Sequence, residues 1–123
     1  MTIKKKFYID VYSCTVLIIC CDNVKRSVNR YCKKYDPDDK GISYDVVGFF
    51  YKPDGAIKEY FIWFDINNID VNTVNHEKSH LVEEILKDRN IKPSGEIRAY
   101  LDGLISEKIA AFFAYQKNNI KFK

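Results

Sequence analysis

Apolar and polar positions alternate from Phe7 to Tyr12. Phe7, Ile9 and Val11 face one way and Tyr8, Asp10 and Tyr12 the other, which predicts a strand. Thr15 to Cys21 is almost wholly apolar, the pattern of a strand covered on both faces. Ser13-Cys14 lies between them, so the two form either a hairpin or one long bent strand. Val24, Val28, Tyr31, Cys32 and Tyr35 then recur at helical spacing and give one apolar stripe, with Asp22 or Asn23 as the cap. Lys25, Arg26, Arg30, Lys33 and Lys34 cover the rest of that helix and read as a solvent face. Asp36 to Gly41 breaks the helix. Two further strands, Tyr44 to Tyr51 and Lys58 to Asp65, flank the turn signal Pro53-Asp54-Gly55 and predict an antiparallel pair, with Gly48 marking a bulge.

The last third is helical. Asp70, Asn72 or Thr73 can open a helix that runs to about Arg89, packed down by Leu81, Val82, Ile85 and Leu86. Asn90-Ile91-Lys92-Pro93 is a connector and Ser94 the next N-cap. A second helix follows from Gly95 to about Asn118. Its apolar side includes Ile97, Tyr100, Leu101, Ile105, Ile109 and Phe112, and its small residues Ala99 and Gly103 would permit close helix approach. Together these elements predict one α+β domain over 1–123: a small, mostly antiparallel sheet with helices packed on it.

Composition agrees with a folded globule, since 46% of the 123 residues are hydrophobic. The formal net charge is +3. Lys4-Lys5-Lys6 and the pair Lys121 and Lys123 supply much of it, which reads as solubilising ends and argues against a nucleic-acid partner. Four cysteines without C-x-x-C spacing read as buried thiols. No apolar run is long enough to span a membrane, and no secretory leader is evident, so a cytoplasmic location is expected.

The chemistry concentrates at His76-Glu77-Lys78-Ser79-His80, which reads H-E-x-x-H and holds both histidines of the chain. In a helix, residues four apart lie about 40° from each other around the axis, so both imidazoles can grip one metal ion. Glu77 falls on the same side, within reach of a water on that metal. Zinc suits this donor set: it takes neutral imidazoles, keeps a position open for water and brings that water's pKa toward about 7. A neighbouring carboxylate can remove the proton and later return it to a leaving amine.

A catalytic zinc centre needs a third protein ligand, and no other histidine exists. Glu96, at the start of the last helix, is the candidate, with Glu84 second; at a helix N-terminus Glu96 would also be favoured by the dipole. An H-E-x-x-H helix followed on the next helix by a glutamate resembles the gluzincin branch of the zinc metallopeptidases. It is closer still to small phage-encoded zincin-like proteins, whose pattern is that helix, a short linker and E-x-x-A-Y-L. Here the stretch reads His76 to His80, then Asn90-Ile91, then Glu96-Ile97-Arg98-Ala99-Tyr100-Leu101. The resemblance implies a minimal zincin-like fold, with His76, His80 and Glu96 as zinc ligands and Glu77 as general base. Tyr100 is either an oxyanion stabiliser or a packed core tyrosine.

The expected function is therefore zinc-dependent hydrolysis of a peptide or protein substrate, with the strand Lys58 to Phe64 as an edge on which an extended chain could pair. The rival expectation is a catalytically silent zincin-like component of a phage particle, bound to phage structural proteins, in which the metal is structural or absent. A third is a module that engages a host protein.

Overall fold

The computed structural model describes residues 1–55, 58–92 and 94–122. Pro93 of the expected connector and Lys123 of the C-terminal basic pair lie outside them. The chain folds as α+β. Strands β1 (Thr2–Ile9), β2 (Cys14–Cys21), β3 (Gly48–Tyr51) and β4 (Glu59–Asp65) form one sheet in the order β1-β2-β4-β3. Helix α1 (Val24–Tyr35) covers one face, and α2 (Val71–Asp88) and α3 (Gly95–Tyr115) cover the other.

The first two strands are a hairpin, not one bent strand. They pair antiparallel from Thr2↔Cys21 to Ile9↔Cys14, through a one-turn 3₁₀ segment at Asp10–Tyr12 and Ser13 at φ 49°. The apolar run of β2 is central, and Val16, Ile18, Ile19 and Cys20 are fully buried because both sheet faces are covered. All four cysteines are buried free thiols. Burial pushes the Cys20 thiol up to about 12, with the neighbouring Cys21 adding to the shift.

β4 lies parallel to β2 and antiparallel to β3, so the sheet is mixed, with two of its three pairings antiparallel. This corrects one expectation. Glu59–Asp65 is an interior strand, and the edges are β1 and β3. The cause is the connection through α1, which carries the chain past β2 to the edge strand β3; the chain then reverses, so that β4 inserts between β2 and β3 and runs parallel to β2. β3 is also shorter than Tyr44 to Tyr51, because the stretch before Gly48 is irregular. Asn29 of α1 holds that stretch: its amide donates to the Ile42 carbonyl at 3.0 Å and accepts from the Ile42 N–H at 2.7 Å.

Two helices start where capping chemistry dictates. The Asp70 carboxylate accepts from the Thr73 N–H at 2.7 Å, and Ser94 Oγ accepts from the Ile97 N–H at 3.2 Å. The apolar stripe of α2, Leu81, Val82, Ile85 and Leu86, is buried against the sheet and α3. On α3, Leu101, Ile105, Ile109 and Phe112 are buried, whereas Tyr100 is 58% exposed and Gly103 faces open space. Gly103 thus creates no close helix approach.

Candidate metal centre

One face of β3 runs up successive turns of α2. Gly48 lies against Thr73 and Glu77, the Phe50 ring stacks on His80 with centroids 6.2 Å apart and planes at 19°, and Lys52 reaches Glu84 and Asp88. Side chains two apart on a strand and about four apart on a helix repeat at similar intervals, so the two rows stay in step. Both histidines are exposed along this seam and Glu77 is buried beneath them.

The imidazoles are set for chelation. His76 Nε2 and His80 Nε2 lie 3.2 Å apart, with ring centroids at 4.8 Å and planes near perpendicular. A metal ion held about 2.0–2.1 Å from each nitrogen would bridge that gap. His76, Glu77 and His80 can bring one donor atom each within 4.8 Å of one another. The residues therefore fit a metal ion.

Burial pushes the Glu77 carboxyl above its usual range, and the nearby His76 and His80 charges offset this only in part. Glu77 owes its place to Gly48. A Cβ at position 48 would sit 2.6 Å from Thr73 Cγ2 and 3.0 Å from Glu77 Oε2, so only a residue without a side chain lets β3 approach α2 there. Gly48 opens the strand and makes room for the carboxylate; it does not mark a bulge. Gly48→Ala is expected to cost about 1–3 kcal/mol by overpacking and to displace Glu77. Urea denaturation would read the first effect and the affinity of the site for a divalent metal ion the second.

The third ligand expected from the sequence is not brought to this group. Glu96 is exposed in the first turn of α3 and lies outside the His76, Glu77 and His80 cluster. Two side-chain pairs explain why. Arg98 pairs with Glu83 at 2.9 Å, while Lys78 reaches Ser106 Oγ at 2.7 Å and Asp102 at 3.4 Å. This antiparallel register sets Glu96 nearer the C-terminal end of α2 than His80, and about 80–160° around α3 from Arg98, Asp102 and Ser106, which meet α2. Glu84 is engaged by Lys52 at 3.7 Å and by Lys87 at 3.9 Å. Tyr100 is exposed and is not among the residues of the cleft.

The cleft over the histidines has a volume of about 290 Å³ and is walled by Tyr44, Val46, Gly48 and Phe50. The pattern reading missed Tyr44 and Val46, which come from the irregular stretch before β3 and carry no periodicity. No helix of the described residues is long and apolar enough to cross a membrane. Compared with known proteins, the chain matches no family model, no curated sequence and no solved structure.

Proposed function

We propose that this protein is a zinc-dependent hydrolase of peptide bonds whose working residues occupy one turn and a half of α2. The supporting observation is the pair of imidazole nitrogens 3.2 Å apart with the buried Glu77 carboxylate beside them, on a cleft rimmed by an edge strand. When bound, zinc would polarise the scissile carbonyl and make its water acidic enough to lose a proton near neutral pH. His76 and His80 hold the ion. Glu77 takes the proton, and its burial-raised basicity keeps that proton available for the departing amine. β3, with one edge unpaired in the sheet, offers backbone groups to an extended substrate, a role the sequence had suggested for β4.

One observation favours a second reading. With Glu96 elsewhere, Glu77 is the acid that completes the donor group. A carboxylate bound to the ion no longer serves as base, and the centre would then be a staple on α2 in a catalytically silent, particle-building protein.

Metal content of zinc-loaded protein and a peptide-library digest with and without chelator test the proposal. Stoichiometric zinc with chelator-sensitive cleavage supports it, and stoichiometric zinc without turnover supports the staple. His80→Ala is expected to weaken zinc binding by more than about 100-fold, beyond what loss of an outer-shell partner does. Zinc affinity should also fall on acidification, because protons compete for the same imidazole nitrogens. Titrations at pH 5 and pH 8 giving equal affinity would contradict imidazole ligation.

A further inference from the structure

The fold gathers positive charge that the overall balance hides. The first 34 residues hold eight lysines and arginines against two aspartates, although the whole chain is only +3. In β1, Phe7 and Ile9 point into the core under α2 and α3, so by strand alternation Lys4, Lys6 and Tyr8 point to the α1 side. Helix α1 packs over β2, β3 and β4. A groove therefore runs between α1 and the edge strand β1.

The groove has two parts joined at Tyr31. One is a cleft of about 400 Å³ lined by Lys4, Arg26 and Arg30. The other, of about 160 Å³, is lined by Lys6, Lys34 and Tyr35. Arg26, Arg30 and Lys34 stand on successive turns of α1, about 6 Å apart along its axis. Lys4 and Lys6 stand about 7 Å apart along β1. None of these five cations is in an ion pair among the described residues. Two acids share the lining: Asp22, which pairs with the terminal ammonium at 3.0 Å, and Glu59, which accepts from the Tyr35 hydroxyl at 3.4 Å and keeps its charge, so the five cations remain in excess.

We propose that this groove binds single-stranded nucleic acid, with the two rows of cations on the phosphates and the tyrosines under the bases. An extended polyanion matches two rows of uncompensated charge. Tyr35, 38% exposed with the mobile Lys34 ammonium over its ring, and Tyr8, 54% exposed on β1 beside the groove, supply stacking surfaces that an acidic peptide would not use. The groove lies across the sheet from the histidines, so it stands or falls independently of the hydrolase reading.

The test is fluorescence anisotropy of a labelled 15-nucleotide oligothymidylate with the full chain, from 50 to 300 mM NaCl. Five phosphate contacts predict a log–log salt slope of about −3.5, at about −0.7 per contact. Arg26→Ala with Arg30→Ala, both exposed, should weaken binding at least tenfold and flatten the slope by about 1.4. Tyr35→Ala should weaken binding by about fivefold or more without changing the slope. Lys87→Ala, on the exposed side of α2, should change neither. Three results would overturn the proposal: no saturable binding at 50 mM, a double variant that binds like the parent, or polyglutamate or duplex DNA competing as well as the oligonucleotide. If Tyr35→Ala does not fold, the arginine pair alone decides.

Discussion

Glu77→Gln is expected to lower peptide hydrolysis by about 10²–10⁴-fold, the usual worth of a general base, while zinc content stays at the parent level. Glutamine keeps the shape of the side chain in the space Gly48 leaves, so the imidazole pair on α2 should be undisturbed. It cannot take a proton. If Glu77 is instead a metal donor, the same change lowers zinc affinity and no activity exists to lose. One variant with two readouts therefore separates the two readings of the site. The metal-free protein offers a third readout. Burial raises the Glu77 pKa in the folded state, so folding opposes its ionisation. The penalty is absent below the unfolded-state value, near pH 4.3, and grows as pH rises through the folded value. Metal-free Glu77→Gln should accordingly be more stable than the parent at pH 8, and the two should converge below about pH 4. Parallel melting curves across that range would mean that the carboxylate is not desolvated.

The helix that carries this chemistry was legible because its signals are local. The Leu81, Val82, Ile85 and Leu86 stripe and the five-residue motif each depend on spacing within a turn or two and stand in α2 as read, and of the three possible openings, Asp70, Asn72 and Thr73, Asp70 is the cap. Glu96 was different. Its distance along the chain allows a return to His80, but the register between α2 and α3 is chosen by Lys78 with Asp102 and Ser106, and by Arg98 with Glu83. Periodicity does not rank such pairs against one another. Gly48 shows the same limit from another side, because a glycine in a strand signals missing bulk without saying what fills the space. The interior position of β4 did leave a trace. Tyr60 through Phe64 are apolar without alternation, and all five are buried, as a strand covered on both faces requires.

Asp88→Asn is expected to cost about 1–3 kcal/mol of folding stability, because it removes the charge on which the half-buried Lys52 ammonium and the buried Tyr60 hydroxyl converge. Asp88 accepts from the Tyr60 hydroxyl at 2.6 Å and from Lys52 Nζ at 3.0 and 3.1 Å, while Arg89 donates to the same Tyr60 oxygen at 2.8 Å and to the Tyr12 carbonyl at 2.7 Å. Burial works against ionisation of Asp88, but the Tyr60 and Lys52 hydrogen bonds and the Lys52 and Arg89 charges outweigh it and hold its carboxyl below the usual range. For a depressed carboxyl the stabilisation is complete above the unfolded-state value, near pH 3.9, and is lost as pH falls through the folded value. Urea denaturation of parent and variant should therefore differ most at neutral pH and draw together toward pH 2. A constant difference would place the effect in packing, not charge. The consequence reaches the metal centre, because Lys52 directly follows β3 and its bond to Asp88 clamps that end of the strand to α2, as Gly48 against Glu77 fits the other. With one clamp released, the cleft between β3 and α2 should widen while the two histidines, four residues apart on one helix, keep their spacing. Asp88→Asn should thus bind zinc like the parent at temperatures where it is folded, yet show a raised KM for peptide, a split that simple unfolding would not produce.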